Sequence, residues 1–257
     1  MKSTVTLPLR VRGLEYGGTK PLFCIPLVPA DLASLEDQAT VAAQLGPDLI
    51  EWRADYFREA TVDALVRAAG VLRRAVGDAA IIFTLRVRQE GGAQDQTQAT
   101  RRQLIAAVLR TRTIDILDLE LANDQPFLDE LMLLARECGV RVLLAIHNFN
   151  ETPANDVLLA HIRAMRARGA DIAKIAVMPK TAHDVLRLLQ VTADARTEFP
   201  DLPLATMSMG ALGSITRVAG FLYGSDMAFA VGKVASAPGQ IPIDDARRTT
   251  DLLLRYS

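Results

Sequence analysis

The stretch Ala170-Asp-Ile-Ala-Lys-Ile-Ala-Val-Met-Pro179 decides how this chain is read. It is a short apolar, strand-like run with one ammonium group, Lys174, in its middle. Burial disfavours a charged amine, so a lysine in such a run either reaches out to water or is held there for chemistry. A desolvated amine is a nucleophile that forms a Schiff base with a ketone. One strand-like run earlier, Val140-Arg-Val-Leu-Leu-Ala-Ile-His147 ends in a histidine. An amine and a proton carrier at consecutive strand ends suggest carbonyl chemistry.

Working outward, short apolar runs alternate with amphipathic ones along the whole chain. The spacing predicts strands over 22–28, 48–53, 80–86, 114–120, 140–147, 171–177, 202–208 and 227–232. Helical patterns lie between them. Over 99–110, Leu104, Ile105, Val108 and Leu109 share one face and arginines the other. The runs 153–168, 181–197 and 244–255 read the same way, with Pro153 and Asp244 as helix starts. Eight strand–helix units in about 250 residues match a (β/α)8 TIM barrel. A doubly wound sheet is the alternative, but no G-x-G-x-x-G follows the first strand. Ahead of the repeat, Val5, Leu7, Leu9 and Val11 alternate with polar or turn residues, which predicts an N-terminal β-hairpin closing the bottom of the barrel. No linker or low-complexity tract interrupts the chain, so residues 1–257 are read as one domain.

Half of the 257 residues are hydrophobic, enough for a sizeable core. The net charge of -1 favours neither nucleic acid nor an anionic membrane as partner. Cys24 and Cys138 lack metal-ligand spacing and sit among apolar neighbours, which points to a reducing cytoplasm rather than a disulfide scaffold. The N-terminus does not read as a signal peptide, and no apolar run reaches transmembrane length.

Residues two apart on a strand share a face. Glu51 and Arg53 therefore oppose Ile50 and Trp52, and Thr84 and Arg86 oppose Phe83 and Leu85. Asp118 and Glu120 oppose Leu117 and Leu119; His147 shares parity with Ala145, and Lys174 with Ile172 and Ala176. The rule is apolar toward the helices and polar toward the barrel axis, near the C-terminal strand ends where barrel enzymes keep their chemistry. A single Glu–Arg pair on a strand is ordinarily structural, and Asp118 is read that way, paired with an arginine. His161 and His183 are read as solvated helix residues, Trp52 and Tyr56 as packing. So many ionisable groups aimed one way are costly to bury without a polar ligand or a mutual network. The set of Glu51, Arg53, Arg86, Glu120, His147 and Lys174 is therefore read as functional. No second histidine shares the parity of His147, so no metal site is expected.

The motifs Glu51-Trp-Arg-Ala-Asp55, Phe83-Thr-Leu-Arg-Val-Arg-Gln-Glu-Gly-Gly92, Asp118-Leu-Glu-Leu121, His147-Asn-Phe-Asn-Glu-Thr-Pro153, Lys174-Ile-Ala-Val-Met-Pro179, Met207-Ser-Met-Gly210, Ser214-Ile-Thr-Arg217 and Ala235-Ser-Ala-Pro-Gly-Gln-Ile241 run nearly the length of the chain. In this order they resemble the type I 3-dehydroquinate dehydratases. The resemblance implies a cofactor-free lyase converting 3-dehydroquinate to 3-dehydroshikimate, and a homodimer. It implies Lys174 as the Schiff-base lysine, His147 as general base and acid, and Glu90 as the carboxylate orienting it. It implies Arg217, Ser236 and Gln240 as the substrate-carboxylate site. Glu51, Arg53 and Arg86 would meet the ring hydroxyls, with Phe149, Met207 and Met209 as apolar walls. Arg53, Arg86 and Arg217 would favour the free amine at Lys174 by repulsion. The run Val234-Ala-Ser-Ala-Pro-Gly-Gln240 would close over the substrate. Asn148 and Met209-Gly-Ala-Leu-Gly213 depart from commoner family versions, and neither removes a catalytic group. Two alternatives stay open at this point: a class I aldolase-type barrel acting on another keto substrate, and a non-catalytic barrel binding module.

Overall fold

The computed structural model describes residues 8–256. Among these residues are ten strands and eight α-helices, and from the third strand on strands and helices alternate as the spacing requires. The first two strands, β1 (Leu9–Val11) and β2 (Leu14–Tyr16), form an antiparallel hairpin. Its turn residues Arg12 and Gly13 have φ of 45° and 79°, the left-handed geometry that lets a two-residue turn follow the strand twist. Val5 and Leu7 lie outside the described residues.

Then follow β3 (Leu22–Leu27), α1 (Leu32–Gln44), β4 (Leu49–Arg53), α2 (Val62–Val76), β5 (Ala80–Thr84), α3 (Gln98–Arg110), β6 (Ile116–Glu120), α4 (Gln125–Glu137) and β7 (Arg141–Asn148). The chain continues through α5 (Asn155–Ala167), β8 (Ile172–Val177), α6 (Ala182–Glu198), β9 (Leu204–Ser208), α7 (Thr216–Ala219), β10 (Met227–Phe229) and α8 (Ile243–Leu254). Asp31, Thr61, Thr97, Asp124 and Thr181 cap their helices by accepting a backbone N–H, which fixes each start. The eight parallel strands run in the order β10-β3-β4-β5-β6-β7-β8-β9. Between β9 and β10 the seam is closed partly by side chains. Asp226 N–H donates to the Leu204 carbonyl at 2.7 Å, Leu204 N–H to Asp226 Oδ2 at 2.8 Å, and Thr206 N–H to Ser225 Oγ at 3.0 Å. The result is a (β/α)8 barrel.

Two apolar layers follow the strand parity. Ile50, Trp52, Phe83, Leu117, Leu119, Leu144 and Ile175 pack outward against the helices. Leu49, Ile82, Ile116, Leu143, Ala145, Ile172 and Ala205 fill the barrel, with Val11 and Tyr16 of the hairpin packed against the same inner cluster. The Tyr16 hydroxyl donates to Met227 Sδ at 3.5 Å. The hairpin thus plugs one end of the barrel, as expected. Trp52 is fully buried between Phe57 and Phe83, both edge-on, a packing role.

Four expectations need correction. The strand expected over 227–232 ends at Phe229, and Val231 N–H donates instead to the Ile241 carbonyl at 2.8 Å. The strand expected over 80–86 stops at Thr84, because side chains take the next backbone groups: the Leu85 carbonyl accepts from Arg101 at 3.1 Å and Arg86 N–H donates to Asp55 Oδ1 at 3.5 Å. Arg86 therefore stands just above the sheet. His183 is exposed, but His161 is half-buried and its Nδ1 is buried without a partner. The helix expected from Pro153 begins at Asn155.

Candidate active site

All the residues singled out as catalytic or substrate-binding line one cavity: Lys174, His147, Glu90, Glu51, Arg53, Arg86, Arg217, Ser236, Gln240, Phe149, Met207 and Met209. The sheet brings them together. Ala145 is the ladder partner of Lys174, so His147 stands two residues above the lysine on the adjacent strand. Both then face the barrel axis by parity.

Lys174 is buried, 3% exposed. Its Nζ donates to Asp118 Oδ2 at 3.0 Å and Glu51 Oε1 at 3.3 Å, and lies 4.3 Å from the centroid of the Phe229 ring. The charged groups in contact with it are carboxylates, and no arginine among the described residues bonds to it. Thr84 Oγ1 donates to the same Glu51 oxygen at 3.0 Å and fixes it. Asp118 is more than the structural partner of an arginine, since it holds Lys174 and Arg86 at once. Burial alone would raise its pKa, but Arg86 and Lys174 outweigh that and hold it below the usual carboxylate range.

Arg86 is held in a fork, with Nη2 to Asp118 at 2.8 Å and Nη1 to Glu120 at 2.9 Å. Glu120 also accepts from Arg101 at 2.6 Å and Asn123 at 2.9 Å. Glu120 is absent from the cavity lining and serves as an internal clamp. Arg53 forms a bidentate pair with Asp55, both contacts 2.8 Å, and lies 5.0 Å from the centroid of the Tyr56 ring.

Glu90 Oε2 accepts His147 N–H at 2.8 Å and lies 3.1 Å from His147 Nδ1. Burial lowers the His147 pKa well below its ordinary value, and the charges of Arg86, Lys174 and Arg53 lower it further. The imidazole is therefore neutral at pH 7. With Nδ1–H assigned as donor to Glu90, Nε2 keeps a free lone pair. Burial also raises Glu90 to about 7, against the pull of Arg86.

Arg217, on α7, is different. It donates to the Phe229 carbonyl at 3.2 Å and the Pro238 carbonyl at 3.1 Å, and its Nη1 lies 3.9 Å from Met207 Sδ. It pairs with no carboxylate among the described residues, and its Nε is buried without a partner. Desolvation lowers its pKa to about 10. Ser236 and Gln240 form a small turn, with Gln240 Oε1 accepting Ser236 N–H at 2.9 Å and Gln240 Nε2 donating to Ser236 Oγ at 3.2 Å. This loop lies against the loop after β9: Gly210 N–H donates to the Pro238 carbonyl at 3.1 Å, and a Cβ on Gly239 would come within 2.1 Å of the Gly210 carbonyl. Lys233 ties its start to Asp37 of α1 at 2.5 Å. Phe149 is 38% exposed and packs on Gly91, where a Cβ would stand 2.5 Å from the ring.

The model of the family described as Type I 3-dehydroquinase matches residues 23–256. The chain belongs to that family. It is 45% identical over 251 residues to the 3-dehydroquinate dehydratase of Geobacillus kaustophilus, covering 97% of each chain. It is 40% identical over 258 residues to that of Aromatoleum aromaticum, covering 98% of this chain and 97% of the relative. The crystal structure of the Geobacillus kaustophilus enzyme superposes with a TM-score of 0.96 at 43% identity over the full length of both chains. That of the Clostridium difficile type I enzyme does so with a TM-score of 0.93 at 30% identity, covering 97% of this chain and 98% of that one. The chain is accordingly an enzyme of the type I 3-dehydroquinate dehydratase kind, which sets aside the aldolase and binding-module readings. No helix among the described residues is long and apolar enough to cross a membrane.

Within this type I site, sequence reasoning missed Phe229, Ala176 and Ala237 in the lining and Asp118 as the lysine's partner. Parity pointed to Asp118 and Ala176. Nothing in the spacing pointed to Phe229 or to Arg101, which reaches Glu120 from α3.

Proposed function

We propose that Lys174 and His147 carry the dehydration of 3-dehydroquinate to 3-dehydroshikimate through a Schiff base. The Lys174 amine attacks the C3 ketone, the carbonyl oxygen leaves as water, and an iminium forms. That cation is an electron sink for the C2–H bond, so the neutral His147 can take the C2 proton. The resulting enamine expels the C1 hydroxyl, to which the imidazolium returns the proton, and water leaves. Hydrolysis of the imine frees the product and regenerates the amine. Glu90 supports this by accepting from His147 Nδ1 and backbone.

The observation that carries the reading is the sharing of one cavity by a buried amine, a neutral imidazole and a buried guanidinium with no carboxylate partner among the described residues. Such a guanidinium suits the substrate carboxylate, with Ser236 and Gln240 beside it. Glu51 and the remaining donors of Arg53 and Arg86 suit the ring hydroxyls, and Phe149, Met207 and Met209 the ring faces. The Clostridium difficile relative was solved with covalent modified comenic acid, which accords with covalent chemistry in such a site. The loop over 234–240 acts as the lid. The reading includes a single domain working in the cytoplasm, without cofactor or metal, as a homodimer; sedimentation velocity tests the last point.

Borohydride added during turnover is expected to fix the substrate mass on Lys174, located by peptide mapping. Normal turnover with an unlabelled Lys174 rejects the mechanism.

A further inference from the structure

We propose that Asp118 is the counter-ion of the iminium formed at Lys174, held in place by a chain of charges reaching out to Arg101. This rests on the Schiff-base reading and deepens it. Two carboxylates touch the lysine nitrogen, but they differ in position. Glu51 lines the cavity and Asp118 does not. A substrate entering the cavity meets Glu51, while Asp118 keeps its place behind the nitrogen.

The carboxylate of Asp118 is fixed from the far side. Arg86 Nη2 donates to its Oδ1 at 2.8 Å while Lys174 donates to Oδ2 at 3.0 Å. Arg86 Nη1 is fixed by Glu120 at 2.9 Å, and Glu120 in turn by Arg101 at 2.6 Å. Arg101, on α3, is braced by the Leu85 carbonyl at 3.1 Å, by Asn123 Oδ1 at 2.7 Å and by the Phe127 ring, whose centroid lies 5.1 Å away. Lys174, Asp118, Arg86, Glu120 and Arg101 thus alternate in sign, and all are buried.

The chemistry requires a counter-ion that stays ionised. When the carbinolamine loses water, the nitrogen lone pair closes the C=N bond and leaves a positive charge on a nitrogen that keeps one N–H. The electron pair released when the C2–H bond breaks flows to that cation. A carboxylate that took the iminium proton would abolish the sink. Arg86 and Lys174 hold Asp118 below the usual carboxylate range, so it accepts the N–H without removing it. A fixed charge in a dry site costs no reorganisation as the cation forms. The Phe229 face adds to the same stabilisation.

The test is borohydride trapping with 3-dehydroquinate, read by intact mass and peptide mapping, beside steady-state turnover. Wild type is expected to trap at Lys174. Asp118→Asn keeps the shape and removes the charge, and is expected to lower both trapping rate and kcat about a hundredfold. Asp118→Glu should recover part of that loss. Wild-type trapping and turnover in Asp118→Asn overturn the proposal and leave the Schiff base standing. Absence of any adduct on wild-type Lys174 removes the Schiff base itself and the proposal with it. Should Asp118→Asn fail to fold, Glu120→Gln reads the same chain one step further out. Its trapping rate should fall several-fold, and an unchanged rate overturns the proposed chain.

Discussion

Around Lys174 every charge has an opposite charge close by, with contacts of 3.3 Å or less to Glu51 and Asp118 and onward to Arg86, Glu120 and Arg101. Arg217, on the wall of the same cavity, touches carbonyl oxygens and a sulfur, and no carboxylate among the described residues. The reacting group is thus held in a charge-matched network, while the binding group keeps an electrostatic deficit. Geometry at the nucleophile must be fixed before substrate arrives, and salt bridges fix it. Affinity is gained where an anion relieves a desolvated cation, so that cation must not be satisfied by the protein.

The comparison breaks most visibly at Lys174. Lys174→Met is expected to cost on the order of 10^4-fold in kcat. It also leaves Glu51 without its cation and Asp118 with Arg86 alone, which should cost about 3–5 kcal/mol of stability in chemical denaturation. Arg217→Met should give the opposite pattern, with KM rising about 10²- to 10³-fold and the fold as stable as wild type or more so. The folded-state pKa of Arg217 is lowered to about 10, so the folded chain binds this proton less tightly than the unfolded chain. The penalty is fully present below pH 10 and is relieved as pH rises through that value. The stability advantage of the Met variant should therefore shrink above pH 10. Loss of stability in Arg217→Met comparable to that in Lys174→Met would erase the contrast.

Glu90 sharpens it in the pH domain. Its folded-state pKa is raised to about 7, so its contribution to stability is present at acid pH and lost as pH rises toward 7. Activity runs the other way, because the ionised form accepts Nδ1–H and aims His147. Turnover should fall on the acid side of about pH 7, where Glu90 takes up its proton. Glu90→Gln should flatten that limb in the pH–rate profile and lower kcat about 10- to 100-fold. The smallest effect is expected at the lid. Gly239 has φ of 75° and faces the Gly210 carbonyl, so Gly239→Ala must part the two loops. Steady-state kinetics should show KM raised about 3- to 10-fold with kcat within about twofold. An unchanged KM detaches the loop from binding.

Much of this molecule was legible in one dimension. The alternation over 171–177 and 140–147 placed Lys174 and His147 on the inner face of a barrel, and the motif order placed Glu90, Arg217, Ser236 and Gln240 on the same cavity. What misled was the choice of neighbours. Asp118 read as one half of an ordinary ion pair, and the arginines read as the charges that favour the free amine. Period two tells which face a side chain takes and says nothing of which side chain it meets there. Arg101 shows the limit most clearly, since the spacing puts the arginines of α3 on the face away from the core, yet Arg101 is buried and its guanidinium reaches over the strand end to Glu120.

The sequence by itself determined the barrel, the inner and outer faces, and the amine and imidazole on adjacent strands. These follow from local spacing and from the cost of burying polar groups without partners. Only the tertiary structure decided that Asp118 and Glu51 clasp Lys174 and that Arg217 meets no acid among the described residues. Those facts depend on strand register and on loops far apart in the chain, 123 residues for Lys174 and Glu51. Electrostatic pairing falls off over a few ångströms in space, a distance that spacing along the chain does not encode.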